Sequence, residues 1–296
     1  MAASHQYERI CRFCLQSEPE RPRIGAVVGN HVVDLTANGI SSLSTILESN
    51  NPTAELVAAR EAATQQYLIT DVNLLPPVER QEIWAAGVTY LRSKTARIEE
   101  SDFSGLAYDR VYDAERPELF FKALAEKVVG TNDSIGIRAD ARWNVPEPEL
   151  GLVMNSAGEI VGYTVGNDVS SRDIEGVNLL YLPQAKVYDR SCSLGPWIVL
   201  GAPEAEARTW TIRIAIWRDG REVFAGQTCV DQLKRSFAEL AGYLWRSQSF
   251  PHGVVLLTGT GVVPDDSFTL TAEDRVQITI DGIGELANTV RTVGAA

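Results

Sequence analysis

Glu147, Glu149 and Asp168 are three carboxylates whose spacing can hold a cation. The first two stand two residues apart in Pro146-Glu147-Pro148-Glu149, and the third ends Val165-Gly166-Asn167-Asp168. The sequence between them reads as a β-hairpin: Leu150 to Met154, a turn at Asn155-Ser156-Ala157-Gly158, then Glu159 to Asn167. Residues i and i+2 of a strand point to the same face. With a two-residue loop, paired residue numbers sum to an odd value, which puts Asp168 on the face of Glu147 and Glu149. Three carboxylates meeting at one end of a hairpin repel each other and need a cation. An all-oxygen ligand set suits Mg²⁺, with Mn²⁺ or Ca²⁺ as substitutes, rather than zinc. The alternative is three solvated surface acids. The apolar run after Glu149 and the aspartate at the far end of the return strand argue against it.

The chain that must position these acids has 296 residues and 45% hydrophobic content, enough for one large domain plus a small one. Its net charge of −12 and pI near 4.8 argue against nucleic acid or an anionic membrane as partner. No apolar run is long enough to span a bilayer. The N-terminus has neither the basic start nor the apolar core of a signal peptide, so a cytoplasmic protein is expected. Four cysteines fit reduced thiols. Cys11 and Cys14 form a Cys-x-x-Cys without a second pair, and an offset of three on a strand puts them on opposite faces. Histidine is scarce: His5, His31 and His252 are all there is.

The expected fold is α+β, mainly β. A small N-terminal α+β domain covers 1–75, and the catalytic part, 76–296, is a mixed, mainly antiparallel β-roll or barrel with a lid around 91–116. Leu74-Leu75-Pro76-Pro77 marks the boundary. In the first part, strands are expected at Arg9 to Leu15, Arg23 to Val28 and His31 to Leu35, and helices at Leu43 to Leu47 and Thr53 to Tyr67. In the second, strands are expected at Glu82 to Gly87, Gly151 to Met154, Ile160 to Val165, Trp197 to Leu200, Trp210 to Arg218, Arg221 to Thr228, Gln277 to Ile280 and Gly284 to Thr292. Val28-Gly29-Asn30-His31, Asp219-Gly220 and Asp281-Gly282 are hairpin turns. Gln232 to Ser247 reads as an amphipathic helix. Gly259-Thr260-Gly261 lacks the third glycine of a nucleotide fingerprint and runs into Pro264, which excludes that use.

Several segments together resemble the fumarylacetoacetate hydrolase superfamily. They are Pro146-Glu147-Pro148-Glu149-Leu150-Gly151, Val161-Gly162-Tyr163-Thr164-Val165-Gly166-Asn167-Asp168 with Ser170-Ser171-Arg172-Asp173 after it, Lys186, and Leu194-Gly195-Pro196-Trp197. Thr258-Gly259-Thr260-Gly261, Gly87-Val88-Thr89-Tyr90 and Phe120-Phe121-Lys122 complete the set. The resemblance covers roughly 80 to 292. It implies a divalent metal, usually Mg²⁺, on Glu147, Glu149 and Asp168, a C-terminal mixed β-roll, and substrates with a 2-keto acid or 1,3-dicarbonyl unit. Hydrolases of this kind carry a lid histidine that activates water with a glutamate, but residues 88–146 contain no histidine. Tyr181 to Tyr188, and Glu118 just before Phe120, resemble instead the 2-keto-3-deoxy-D-arabinonate dehydratase branch. The resemblance therefore implies a Mg²⁺-dependent dehydratase turning a 2-keto-3-deoxypentonate into 2,5-dioxopentanoate and water, in a homodimer or homotetramer. The competing reading is a C–C bond hydrolase of an acylpyruvate or 2,4-diketo sugar acid. A catalytically inactive sugar-acid-binding protein is the reading from outside enzymology.

A 2-keto acid offers a carboxylate oxygen and its keto oxygen as a chelate, and Mg²⁺ on three carboxylates keeps positions open for it. The ion polarises the C2 carbonyl, favours an enolate and acidifies C3–H. A base then removes that proton and the C4 hydroxyl leaves as water. Lys186 is the candidate base, with charge balance as its competing role. Glu118 is the candidate acid, with a helix-start carboxylate as its competing role. Tyr90 and Arg92, two residues apart, and Thr260 are candidate contacts to the substrate. Gln184 and Tyr188 flank Lys186 and are candidate readers of sugar hydroxyls. Lys122 and Arg172 are equally readable as structural ion pairs.

Overall fold

The computed structural model describes residues 7–90 and 111–294. Strands β1 (Glu8–Leu15), β2 (Glu18–Val28), β3 (His31–Asp34), β4 (Gln66–Leu68) and β5 (Val72–Leu75) come first. β6 (Glu82–Gly87), β7 (Glu118–Leu124), β8 (Ser134–Arg138) and β9 (Asn144–Val145) follow. Next are β10 (Pro148–Met154), β11 (Ile160–Asp168), β12 (Ser170–Ser171) and β13 (Cys192–Leu200). The last are β14 (Thr211–Arg218), β15 (Arg221–Cys229), β16 (Val254–Leu257), β17 (Arg275–Ile280) and β18 (Gly284–Val293).

They form two large open sheets and a two-stranded one. The larger runs β4-β3-β2-β1-β13-β11-β10-β16-β6-β7, with β5 also on β1. The smaller runs β15-β14-β17-β18-β8. Pairing is antiparallel except for β16 with β6 and β18 with β8. The expected mixed, mainly antiparallel β fold is present, but neither sheet closes into a barrel among the described residues. The N-terminal strands continue the main sheet: Glu8 pairs with Leu200 and Ile10 with Ile198. No helix among the described residues is long and apolar enough to cross a membrane.

Most expected elements lie where the hydrophobic alternation puts them. Asp219-Gly220 turns β14 into β15 with both residues at positive φ, 51° and 74°, which matches the twist of a two-residue hairpin. The second expected helix is shorter than read. It spans Pro52–Ala62, capped by Asn51, whose side chain accepts from Ala54 N at 3.1 Å. Tyr67 lies instead in β4, because β3 offers an open edge there. The amphipathic helix is likewise Phe237–Trp245, capped by Ser236. β7, β8 and β16 were not expected as strands. Two of them pair in parallel with partners far along the chain, so no hairpin turn announces them. The expected lid, 91–116, falls outside the described residues except for 111–116. Those six are held by Lys234, which donates to Tyr112 O at 2.6 Å and Asp113 Oδ1 at 2.5 Å, and by Arg235 on Ala114 O at 2.6 Å.

The hairpin β10–β11 is central and buried on both faces. Leu150, Leu152 and Met154 face the core beneath the smaller sheet, with Ile212, Ile214 and Leu286. Val153 faces the other core, with Val255, Leu257, Ile83 and Leu194. The acids share the face of Val153. There the opposite strand carries only Gly162, Thr164 and Gly166; a Cβ on Gly166 would lie 2.3 Å from Leu257.

Candidate metal centre

Pairing of Pro148 with Asn167 and Glu149 with Gly166 continues to Glu147 opposite Asp168, where Asp168 N donates to Glu147 O at 2.9 Å. The sums are odd, as the one-face expectation requires. The premise of a two-residue loop does not hold: Met154 pairs with Ile160 across five intervening residues. A bulge between Val153 and Met154 shifts the register by one and restores the parity.

One oxygen from each of Glu147, Glu149 and Asp168 lies within 4.8 Å of the other two. All three side chains are buried, at 4%, 1% and 1% exposure. Charges at such a separation repel by about 3–4 kcal/mol per pair at an effective dielectric of ~20. Two of the three are compensated. Glu147 accepts from Arg172 Nη2 at 2.6 Å and from Lys186 Nζ at 2.6 Å. Asp168 Oδ2 accepts from Lys186 Nζ at 2.9 Å, and its Oδ1 lies 2.5 Å from Lys122 Nζ. Glu149 has no ion pair among the described residues. It accepts from Gly259 N at 2.6 Å, and burial, then the charges of Asp168 and Glu147, hold its carboxyl well above the usual range.

These residues fit a hard divalent ion. Glu149 is a buried carboxylate with no ion pair among the described residues. Asp168 Oδ1 is buried and, among the described residues, has only the Lys122 ammonium beside it. The donor set is all oxygen, as Mg²⁺ prefers. Three carboxylates against Lys122, Arg172 and Lys186 leave the cluster near neutral. A divalent ion makes it net positive, which suits an anionic ligand.

Ala86, Gly87, Phe120, Arg172, Lys186 and Thr260 line a narrow cleft over these acids. Lys186, from the short helix Leu182–Lys186, is 1% exposed and donates to Glu147, Asp168 and Ser170 Oγ, the last at 2.5 Å. Three acceptors match the three protons of an ammonium. Glu118 opens β7 opposite Gly87, and its carboxylate fills the space a Cβ on Gly87 would need, 1.9 Å from Oε2. Thr260 lines the cleft and donates to Val262 O at 3.0 Å.

The remaining candidates lie elsewhere. Tyr90 is 1% exposed in the core against Gly261, its hydroxyl has no hydrogen-bond partner among the described residues, and burial pushes its pKa up. Gln184 is exposed, and its carbonyl accepts from Arg138 Nη1 at 3.1 Å. Tyr188 donates to Gly136 O at 3.3 Å, behind Lys122 rather than in the cleft. Arg92 lies outside the described residues. Lys122 and Arg172 form the ion pairs that the sequence left open, and Lys122 Nζ also donates to Lys186 O at 2.6 Å and Val169 O at 3.0 Å. Sequence reasoning missed Ser170, Phe120 and the Gly259 amide. Ser170 stands two residues after Asp168, so face parity was a usable signal. The Gly259 amide comes from 110 residues beyond Glu149 and had none.

Known proteins share this arrangement of chain. A "Probable 2-keto-3-deoxyxylonate dehydratase" of Haloferax volcanii is 52% identical over 240 residues, 81% of this chain and 82% of its own length. A "2-dehydro-3-deoxy-D-arabinonate dehydratase" of Saccharolobus solfataricus is 38% identical over 234 residues, 78% of each chain. The solved structure of "2-keto-3-deoxy-D-arabinonate dehydratase complexed with magnesium and 2,5-dioxopentanoate" superposes with a TM-score of 0.77 at 32% identity, covering 96% of this chain and 99% of that one. Residues 83–291, from β6 to the end of β18, match the family described as fumarylacetoacetate (FAA) hydrolase, C-terminal. By that match and by the two sequence relatives, the chain belongs to the fumarylacetoacetate hydrolase family.

Proposed function

We propose that this protein is a Mg²⁺-dependent hydro-lyase that converts a 2-keto-3-deoxy sugar acid, of the 2-keto-3-deoxypentonate type, into 2,5-dioxopentanoate and water. The observation that carries it is the buried cluster of Glu147, Glu149 and Asp168, with Lys186 against two of them and the third in no ion pair among the described residues. The dehydratases named above supply the substrate class. Glu147, Glu149 and Asp168 hold the ion, which when bound polarises the C2 ketone and acidifies C3–H.

The chain's own residues do the rest. Arg172 and Lys122 fix Glu147 and Asp168, so the acids cannot swing apart under their repulsion. Phe120 and the bare backbone at Gly87 and Gly259 wall the cleft and limit water. Lys186 and Glu118 handle the protons: one leaves C3, one joins the departing C4 hydroxyl, and the product relaxes to the 5-aldehyde. Lys186 is the base in this scheme and Glu118 is the acid; the proton that Lys186 takes from C3 and the one that Glu118 gives to the C4 hydroxyl are exchanged back with water between turnovers. Thr260 meets the substrate carboxylate from the cleft wall, with Tyr90 behind its loop and Arg92 as a second contact. Gln184 and Tyr188, which lie outside the cleft, take no direct contact with the substrate in this scheme.

Three broader proposals accompany this one. Every candidate site residue follows position 75, which supports 76–296 as the catalytic part and 1–75 as an accessory one. The four cysteines are free, three of them buried, which suits the reducing cytoplasm. A homodimer or homotetramer is supported by the exposed apolar side chains of Val177, Leu180 and Tyr181, at 72%, 83% and 40%; light scattering tests it.

The test of function is direct. The protein is incubated with 2-keto-3-deoxypentonate and Mg²⁺, and 2,5-dioxopentanoate is followed through an aldehyde dehydrogenase. Pyruvate released from a 2,4-diketo acid, with no aldehyde from the deoxypentonate, would overturn the proposal in favour of hydrolysis.

A further inference from the structure

Thr89 touches neither the cleft nor the acids, yet it bonds to the same peptide unit as Glu149. Its side chain is buried, and Oγ1 donates to Thr258 O at 2.6 Å. The next amide, Gly259 N, donates to Glu149 Oε2 at 2.6 Å. Thr258 C=O and Gly259 N–H belong to one peptide plane, whose two ends are rigidly opposed. Fixing the carbonyl therefore aims the N–H. The order β10-β16-β6 puts this peptide, just past β16, between the strand that bears Glu149 and the one that leads to Thr89.

The surroundings are built around this contact. Val88 has φ of +52°, a strained conformation for a β-branched residue. It turns the chain off β6 so that Thr89 faces Thr258. Gly259 has φ of +92°, and a Cβ there would lie 2.0 Å from Thr89 Oγ1 and 2.9 Å from Ala86 O. The Thr89 hydroxyl thus occupies the space where a side chain at 259 would be. Thr258 is tied to β10 as well: its N and its Oγ1 each reach Leu150 O at 3.0 Å. The Thr89 backbone has its own anchor, since Lys234 N donates to Thr89 O at 3.0 Å. Removing the hydroxyl therefore leaves the main chain held.

We propose that Thr89 is a positioning residue for Glu149. Its hydroxyl orients the Thr258–Gly259 peptide, whose N–H presents that carboxylate to the metal. Among the described residues Glu149 is the acid of the three with no ion pair, and the Gly259 N–H is the hydrogen bond that holds its Oε2. Bonds in such a chain polarise one another, so the hydroxyl also strengthens the N–H on the carboxylate. The inference rests on the proposed metal role of the three acids.

The experiment uses the full chain stripped of divalent ions with EDTA and titrated with Mn²⁺, free ion being read by electron paramagnetic resonance. Thr89→Val keeps the shape and removes the donor; Thr89→Ser keeps the donor. Outer-shell partners of ligands are worth about 10–100-fold in metal affinity. Thr89→Val is expected to bind Mn²⁺ at least about tenfold more weakly, and Thr89→Ser to restore binding. At saturating Mg²⁺ the Thr89→Val protein should recover its turnover number, with the loss confined to the metal activation constant. Equal Mn²⁺ affinity in Thr89→Val and parent, or a serine variant as weak as the valine one, overturns the inference. Should Thr89→Val not fold, Thr89→Ala, which leaves room for a water, is scored by the same outcomes. Absence of Mn²⁺ binding to the parent would overturn the metal reading itself, a separate result.

Discussion

At the scale of single residues, the site is an exercise in charge compensation. Lys186 has two roles that the geometry keeps side by side: it neutralises Glu147 and Asp168, and it stands at the cleft. The two separate by experiment. If it moves protons, Lys186→Ala binds Mn²⁺ at least as well as the parent yet loses turnover by about two to four powers of ten, and Lys186→Arg does not rescue it. Retained turnover in Lys186→Arg would assign charge balance alone. Gly87 poses a similar question for Glu118. A methyl there meets the Glu118 carboxylate with nothing else to yield. Gly87→Ala should lower the turnover number by about tenfold to 100-fold while metal affinity stays constant. Unchanged kinetics would remove Glu118 from the mechanism.

At the scale of elements, the hairpin β10–β11 does two jobs with its two faces. Even-numbered residues of β10 pack under the smaller sheet and odd-numbered ones lead to the acids. Leu152 is fully buried on the face away from the acids. Leu152→Ala should cost about 2–5 kcal/mol of stability by urea unfolding, yet bind Mn²⁺ normally where the chain is folded. A selective loss of metal affinity would mean that the two faces are not independent. The alternation that made this hairpin legible is local, and so is the capping at Asn51 and the Asp219-Gly220 turn. The Thr53-to-Tyr67 helix was read too long because Tyr67 follows the edge of β3, a contact no periodicity encodes. β16 was missed for the same reason: it is a strand because it fits between β10 and β6, both far earlier in the chain.

At the scale of the whole molecule, metal binding is folding energy. An ion that binds only the native cluster stabilises it by about 2.7 kcal/mol at one hundred times its dissociation constant. For a chain of this size that is on the order of 5 °C in Tm. Mg²⁺ should therefore raise Tm, EDTA should reverse the rise, and Glu149→Gln should abolish it. A Glu149→Gln protein whose Tm still responds to Mg²⁺ would place the ion elsewhere.

Much of the site was written locally in the chain. The two-residue spacing of Glu147 and Glu149, the presence of a hairpin after them and the all-oxygen ligand set follow from side-chain alternation and ion chemistry, which need only neighbouring residues; Asp168 reaches their face through the bulge between Val153 and Met154, which offsets a turn longer than the two residues expected. The assembled fold settled what depends on distant partners. It assigned which cation meets which carboxylate, brought the Gly259 amide to Glu149, joined β1 to β13 in one sheet, and set Tyr188 and Gln184 away from the cleft. Those contacts arise when strands far apart in the chain are packed together, and no short-range pattern records them.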